Sequence, residues 1–553
     1  MGTRLRWRSY RVGRADGRSS QDHVRCRLSP DGTNRGSVTI LFDSTHGVRG
    51  SAMADKRPNV MIVLTDQLAR DFVGCYGGEP AHTPRLDALA RQGVRLNQAY
   101  VPLPQCSPAR ASMFTGRYPH EHQLYMNGYP DQAWEIDGGW IRNRPVLPET
   151  VPSLGQAFNR AGYRMGYTGP WHMGRDETPQ HGWTDSWRTY RYCASGLDVY
   201  EQRLETCGFL DMFHQEHRAV SMADASSTDH RQPSMATQIP GEHTRTAWAV
   251  DEALTFLDAA DGRPWMFCCS IKDPHPPVLP PSDTADLVSP DAVGLPASFS
   301  DDLEGKPALI RETFAWKWSS YMSNHQWRQY IAHYHGLIAH IDAEVGRLID
   351  GLEARGLRDD TILIFLSDHG EMMGAHHMAH KGPFMYDEVY AIPFIAHWPG
   401  RVEGGMAHDD FFSTVDFVAT IGGLTGVEVD DGSGYDQSPT LLRGDRGLRS
   451  AVFSEFYGQN ADQPKPPASD HIARCRIKSV RTVDWKMNVY QDDRSELYDL
   501  RADPAEMRNL IDEPVHADIR RELGDRIMEW LRATGDPMAD MTERRIGELV
   551  SGI

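Results

Sequence analysis

The sequence has no apolar run of membrane-spanning length, which argues against a helical membrane span. Its Arg-, Ser- and Gly-rich start, residues 1–50, lacks the apolar core of a secretory signal. Residues 1–54 are expected to be a disordered or misassigned extension, with Met53 as an alternative start, and the protein is expected in the cytoplasm. Cysteine is sparse: the eight residues, at 26, 75, 106, 193, 207, 268, 269 and 475, have neither zinc-ribbon nor disulfide-scaffold spacing, which fits reduced thiols. Cys268 and Cys269 lie in an apolar run and read as small buried hydrophobes. Basic charge is in deficit, with 58 Lys and Arg against 76 Asp and Glu. The first 52 residues hold ten Arg and four Asp, so the rest of the chain stands at −24. Such a balance argues against a nucleic-acid partner, whose phosphates demand Lys and Arg. It says nothing against a small anionic substrate, which feels the local field of a pocket. No internal repeat appears, which excludes a solenoid or propeller.

What is present is an ordinary globular composition, 40% hydrophobic and 24% charged, able to bury a large core. Four short apolar runs share one grammar: each reads as a buried strand and each ends in residues able to bind metal or move protons. Residues 59–64 (NVMIVL) run into Asp66-Gln67, and 361–366 (TILIFL) into Asp368-His369-Gly370-Glu371. Residues 163–167 lead to His172, and 265–271 to Asp273-Pro274-His275. Ligands in open α/β sheets sit beyond the carboxyl ends of strands, so these four ends are expected to converge.

Helices fall between the strands. Thr83-Pro84, with Leu86, Leu89 and Ala90 and a closing Gly93, carries helix start and stop signals. Residues 327–355 carry apolar residues at helical spacing and stop at Gly356. The alternation predicts an α/β core with a mixed, mostly parallel sheet flanked by helices. Past about residue 450 the texture changes to short strands, at 451–456 and 485–490, and a final helix over 517–533 with one apolar face. The expected division is an extension (1–54), a catalytic domain (55–450) and a small C-terminal α+β subdomain (451–553).

Asp66 and Asp368, at the ends of buried strands, are costly unless paired or bound to a cation. A lone strand-end Asp is most commonly a cap or loop carboxylate, but two of them, each followed by a further donor (Gln67, His369), favour a metal. Oxygen-rich ligation suits Ca²⁺ or Mg²⁺, and one imidazole leaves Mn²⁺ open. Cys106-Ser107-Pro108-Ala109-Arg110 opens a predicted helix, where backbone N–H groups and Arg110 could cradle an anion. A Cys before a helix is, by itself, usually just packed.

The Cys-x-Pro-x-Arg segment followed by Thr115-Gly116-Arg117-Tyr118-Pro119 resembles the signature of type I sulfatases, in which the cysteine becomes formylglycine. Further motifs agree in order: Arg57-Pro58-Asn59-Val60 to Asp66, Thr83-Pro84-Arg85-Leu86-Asp87, Gly162-Tyr163-Arg164, Ser367-Asp368-His369-Gly370-Glu371, Lys381-Gly382-Pro383-Phe384 and Glu496-Leu497-Tyr498-Asp499-Leu500. The resemblance spans roughly residues 57–510. It implies an alkaline phosphatase-like fold and a sulfuric ester hydrolase. It also implies one divalent cation, Ca²⁺ in first place, held by Asp66, Gln67, residue 106, Asp368 and His369. Formylglycine at position 106 would be the nucleophile, made by a formylglycine-generating enzyme. Arg110 and Lys381 would bind the sulfate oxygens, His275 would serve as general acid at the leaving group, and His172 would help to expel sulfate. A small sulfate ester is the implied partner, with a homo-oligomer open.

Two departures from the family pattern stand out. The common Gly-Lys-Trp-His reads Gly169-Pro170-Trp171-His172 here, which removes a lysine that contacts nucleophile and sulfate. Asp66-Gln67 with Asp368-His369 replaces Asp-Asp with Asp-Asn, a combination shared with relatives that hydrolyse phosphonate monoesters and phosphodiesters. Two alternatives follow: a hydrolase of phosphorus esters with the same site, or a catalytically silent binder of sulfated ligands. His376, His377 and His380 are expected to line a loop, and His333, His335 and His340 to lack ligand roles. His120 and His122 are expected in solvent-exposed loops. Trp134, Trp171 and Tyr125 could shape a pocket but more often such residues are core. Specificity is expected in residues 188–240 and 280–324.

Overall fold

The computed structural model describes residues 57–127, 142–174, 178–189, 197–220, 233–259, 261–458 and 475–551, together with four short strands outside these spans or at their edge. The chain divides into two units, Met1–Lys56 and Arg57–Ile553. In the first, Arg8–Tyr10 pairs antiparallel with Val24–Cys26; Met53 and the rest of the expected extension lie outside the described residues. In the second, Ala133–Ile136 and Gly139–Arg142 form a hairpin; the side chain of Trp134 lies outside the description.

Eight strands form the main sheet: β1 (Asn59–Asp66), β2 (Val94–Tyr100), β3 (Arg164–Thr168), β4 (Ser186–Arg188), β5 (Trp265–Pro274), β6 (Thr361–Ser367), β7 (Phe394–His397) and β8 (Met406–Ser413). Their order is β8-β2-β7-β6-β1-β5-β3-β4. Only β7 runs against its neighbours; every other pairing is parallel. β1 and β6 are buried along their whole length, which is why they read as continuous apolar runs rather than alternating ones. Their alternating side chains feed two cores. Val60, Ile62 and Leu64 face one, and Met61 and Val63 the other.

Helices cover both faces: α1 (Pro84–Gln92), α2 (Cys106–Thr115), α3 (Arg245–Asp258) and α4 (Asn324–Ala354). α2 packs with the Val60 side, whereas α1, α3 and α4 bury their apolar stripes on the Met61 side. α4 begins three residues before its predicted start because Ser323 and Gln326 form a capping box. α1 starts where expected, but Thr83 does not cap it. Asp342 of α4 does, accepting from the N–H groups of Arg85 (3.1 Å) and Leu86 (2.8 Å), so the cap is tertiary.

The C-terminal strands β9 (Val452–Tyr457), β10 (Arg476–Arg481), β11 (Trp485–Tyr490) and β12 (Glu496–Asp499) form an antiparallel meander. Helix α5 (Ala517–Thr534) packs on it through Leu523, Ile527 and Leu531. A further helix, α6 (Ala539–Ser551), was not anticipated. Among the described residues no helix is long and apolar enough to cross a membrane, and no cysteine is disulfide-bonded.

Register positions the site. β1 and β6 align Thr65 with Ser367, so the next residues, Asp66 and Asp368, leave the sheet side by side. β5 pairs in step with β1 up to Thr65–Ile271, then slips so that Asp66 faces Pro274. The slip throws Lys272 and Asp273 out of the ladder, the re-aiming that a bulge produces.

Candidate active site

Cys106 is the first residue of α2, a helix buried at all ten positions. Its Sγ lies 3.4 Å from Asp66 Oδ1, 3.3 Å from His369 Nε2 and 3.4 Å from Lys381 Nζ. The helix start is only partly available to an anion, because the Ser107 N–H donates to Asn127 Oδ1 at 2.8 Å.

Arg110, one turn on, is fully buried. Its Nε donates to Asp368 Oδ2 (2.8 Å) and its Nη2 to Asp66 Oδ2 (3.1 Å). Its Nη1 reaches the Pro170 carbonyl (2.6 Å) and Ser270 Oγ (2.8 Å). Tyr167 OH and Ser270 Oγ donate to the same carbonyl, at 2.7 and 3.1 Å. Pro170 removes the lysine of the common motif, and in this chain its carbonyl docks Arg110. Sequence reading missed Ser270 and Tyr167; both sit inside apolar strands, where alternation gives no cue.

Gln67 adopts φ 66°, a conformation that costs a non-glycine residue about 1–3 kcal/mol and is held where the surroundings demand it. That turn lets its N–H donate to Asp368 Oδ1 at 3.0 Å. Its side chain bridges Glu371, through Nε2, and Lys381, which donates to Oε1. His369 Nδ1 donates to the Gly370 carbonyl (2.9 Å), so its Nε2 faces the cluster as a bare lone pair.

Burial and the Asp368 charge push the Asp66 carboxyl up to about 6. Burial acts to raise Asp368 too, but His369, Arg110 and Lys381 outweigh it and hold it ionised. Burial lowers His369 and His172 to about 3, so both are neutral imidazoles. It also raises the Cys106 thiol, which is no thiolate at neutral pH. The ligand atoms of Asp66, Cys106, Asp368 and His369 lie within 4.8 Å of one another. Two buried carboxylates, one ionised and raising the proton affinity of the other, a bare imidazole nitrogen and an amide make a donor set that suits a divalent cation in the proton's place.

His172 and His275 join the same field. Arg110, Lys381 and Lys272 act on His172, and Lys381, Lys272 and His369 on His275. The four strand ends therefore meet at one place.

Of the other histidines that the sequence singles out, His377 is half-buried and the rest are buried. His120 and His122, expected in solvent, are 5% and 1% exposed. His122 Nε2 meets Ser112 Oγ at 3.0 Å, and His120 bonds Glu455. The group His120, Glu455 and Asp536 has metal-like spacing, but Lys478 Nζ sits on both carboxylates and answers their charge. His333 and His340 bond Ser234 and Thr244. His376 stacks on Tyr386 and bonds Asp301. Trp171 packs against Phe114 and Tyr167, and Tyr125 against Tyr457.

The family model described as "Sulfatase" matches residues 58–427, and one described as "N-sulphoglucosamine sulphohydrolase, C-terminal" matches 374–533. The uncharacterized sulfatase YidJ of Escherichia coli (strain K12) is 29% identical over 504 residues, covering 87% of this chain and 88% of that protein. An N-acetylglucosamine-6-O-sulfatase of Bacteroides thetaiotaomicron is 25% identical over 552 residues, with 88% of each covered. Among solved structures, the phosphonate monoester hydrolase of Agrobacterium radiobacter superposes with a TM-score of 0.70 at 24% identity, over 86% of this chain and 96% of that one. With the family model matching two thirds of the sequence and the alkaline phosphatase-like fold in place, the chain belongs to the sulfatase family.

Proposed function

We propose that this chain hydrolyses sulfate esters with formylglycine at position 106 and one divalent cation, Ca²⁺ in first place and Mg²⁺ or Mn²⁺ as alternatives. The observation that carries this reading is the buried cluster of Asp66, Asp368 and His369 around Cys106, with Lys381 against the sulfur. Asp66, Gln67, Asp368 and His369 would hold the cation beside residue 106. Bound there, the cation would lower the pKa of a hydroxyl of the hydrated aldehyde at residue 106, which would supply the nucleophile.

The chain's own residues do the rest. Lys381 Nζ, 3.4 Å from the Cys106 sulfur, neutralises the ester oxygens as charge grows on them. Arg110 adds its charge from the wall behind the carboxylates and keeps both aimed inward. His275 donates Nδ1–H to the Pro276 carbonyl (2.7 Å), and burial with the Lys381 and Lys272 charges lowers its pKa, so its Nε2 carries no proton in the free site. It serves as general acid at the leaving alcohol only after Nε2 has taken up a proton, which negative charge growing on the ester would favour. Neutral His172 accepts a proton from residue 106 when sulfate departs. Maturation requires a formylglycine-generating enzyme.

Mass spectrometry of the peptide containing Cys106 tests the reading directly: the aldehyde is expected, and an unmodified thiol in active protein would overturn it. An aldehyde would also dispose of the silent-binder alternative. Chelation is expected to abolish turnover and added Ca²⁺, Mg²⁺ or Mn²⁺ to restore it.

A second reading, hydrolysis of phosphonate monoesters or phosphodiesters, is favoured by Gln67 and His369 and by the fold of the phosphonate hydrolase neighbour. Parallel assays of an aryl sulfate and an aryl phosphonate separate the two; a large excess for phosphorus would replace sulfate in the proposal.

A further inference from the structure

Gln67 is 1% exposed, and each of its polar groups has a partner. Its N–H donates to Asp368 Oδ1 (3.0 Å) and its carbonyl accepts from Tyr334 OH of α4 (2.7 Å). In the side chain, Nε2 donates to Glu371 Oε2 and Oε1 accepts from Lys381 Nζ. An amide fits a pocket of this shape either way round, so its neighbours choose the orientation. Lys381 has only hydrogens to offer and meets the oxygen, whereas Glu371 offers lone pairs and meets the nitrogen. The oxygen is therefore turned toward the lysine that also touches the Cys106 sulfur (3.4 Å).

Glu371 is itself held in place. Its Oε1 accepts from the N–H groups of Met373 (3.3 Å) and His380, which leaves Oε2 for Gln67. Met373 and His380 have φ of 42° and 66°, and Gln67 has 66°. Three non-glycine residues in left-handed backbone thus converge on one buried carboxylate. Such conformations persist where the surroundings impose them, and they gather at functional sites. A carboxylate that merely closed the 373–380 loop would need the first two alone; the third brings the Gln67 amide onto it.

We propose that Glu371 is a positioning residue of the cation site: it fixes the Gln67 amide with its oxygen toward the cation and, by accepting from the nitrogen, strengthens that oxygen as a ligand. The proposal rests on the reading that Gln67, with Asp66, Asp368 and His369, holds a divalent cation.

The test is calorimetric titration of Ca²⁺, Mg²⁺ or Mn²⁺ into the metal-free full-length chain, which needs no turnover. In E371Q the one remaining oxygen stays with the two backbone N–H groups, so the new amide nitrogen meets Gln67 Nε2, donor against donor. E371Q is expected to bind the cation about 10–100-fold more weakly, the loss usual when the partner of a metal ligand is removed. Q67A is expected to weaken binding as well, and E371Q added to Q67A to change nothing more. A role confined to the loop, or an effect of charge alone, would lower affinity equally in both backgrounds. Wild-type affinity in E371Q, or a loss as large in the Q67A background as in the wild type, would overturn the proposal. Should E371Q not fold, the exchanged pair Q67E/E371Q keeps a nitrogen donating to a carboxylate across the same gap and is expected to fold and bind the cation. An exchanged pair that also fails to fold, or folds without affinity, would show that Glu371 serves its loop alone and defeat the proposal. A wild type that binds the cation but hydrolyses no ester sinks the proposed reaction and leaves Glu371 its role, whereas one with no affinity for any of the three cations sinks both.

Discussion

Asp66 and Asp368 face each other in the interior, and Arg110 is the cation that makes this tolerable, one nitrogen on each carboxylate. Removing one partner of a buried ionic group leaves the others uncompensated, at about 3–5 kcal/mol. Arg110→Gln is therefore expected to lower the unfolding free energy by that order, with a matching fall in the midpoint, and saturating divalent cation to recover part of the loss, because a ligand of the folded state stabilises it. A midpoint unchanged in metal-free protein would show that Arg110 is not what balances the pair. At this scale much of the site was legible. A polar residue ending an apolar run has few reasons to be there, and the sequence singles out Asp66, Asp368, His172 and His275 on that ground. Lys272 was stepped over because it reads as the polar residue of an ordinary strand end, and only the slip in β5 shows that it leaves the ladder. His120 and His122 were misplaced in solvent because their partners, Glu455 and Ser112, are distant in sequence or hidden in a helix.

The turn after β3 is a second point where local geometry governs the site. Gly169 has φ 83°, and a Cβ on it would stand 1.7 Å from the Ser270 carbonyl oxygen. The close approach brings the Pro170 carbonyl onto Arg110. Gly169→Ala is expected to cost about 1–3 kcal/mol in backbone strain alone, with a further loss from displacing Ser270. Denaturant unfolding should show the drop, and activity should fall with it as Arg110 loses its dock. Normal stability with normal turnover would mean that the turn can relax. The elements themselves were largely readable, since β1, β6 and α4 follow from uninterrupted apolar runs and helical spacing. What failed was capping: Thr83 had the right chemistry for α1, but the carboxylate that caps it comes from Asp342.

Across the whole molecule, the C-terminal meander is tied to the segment after α2 by a buried charge network of His120, Glu455, Lys478 and Asp536. Burial alone would lower the His120 pKa, but the Glu455 and Asp536 carboxylates outweigh it and raise it above 6.5. A raised folded-state pKa gives stability that is complete below the unfolded value, about 6.5 for histidine, and is lost as pH rises through the folded value. The melting-temperature gap between the wild type and His120→Gln should accordingly be larger at pH 6 than at pH 9; a gap that widens with pH would contradict the assignment. The sequence by itself determined the α/β class, the buried strands, the order of the motifs and the kinds of atoms gathered around residue 106, because those depend on local periodicity and on the cost of burying a polar group. Tertiary structure alone decided that the Thr65–Ser367 register sets two carboxylates side by side, that a carbonyl of Pro170 docks Arg110, and that the Gln67 side chain bridges Glu371 and Lys381. Those outcomes depend on which strand pairs with which and in what register, and side chains on separate elements carry no local trace of it in the sequence.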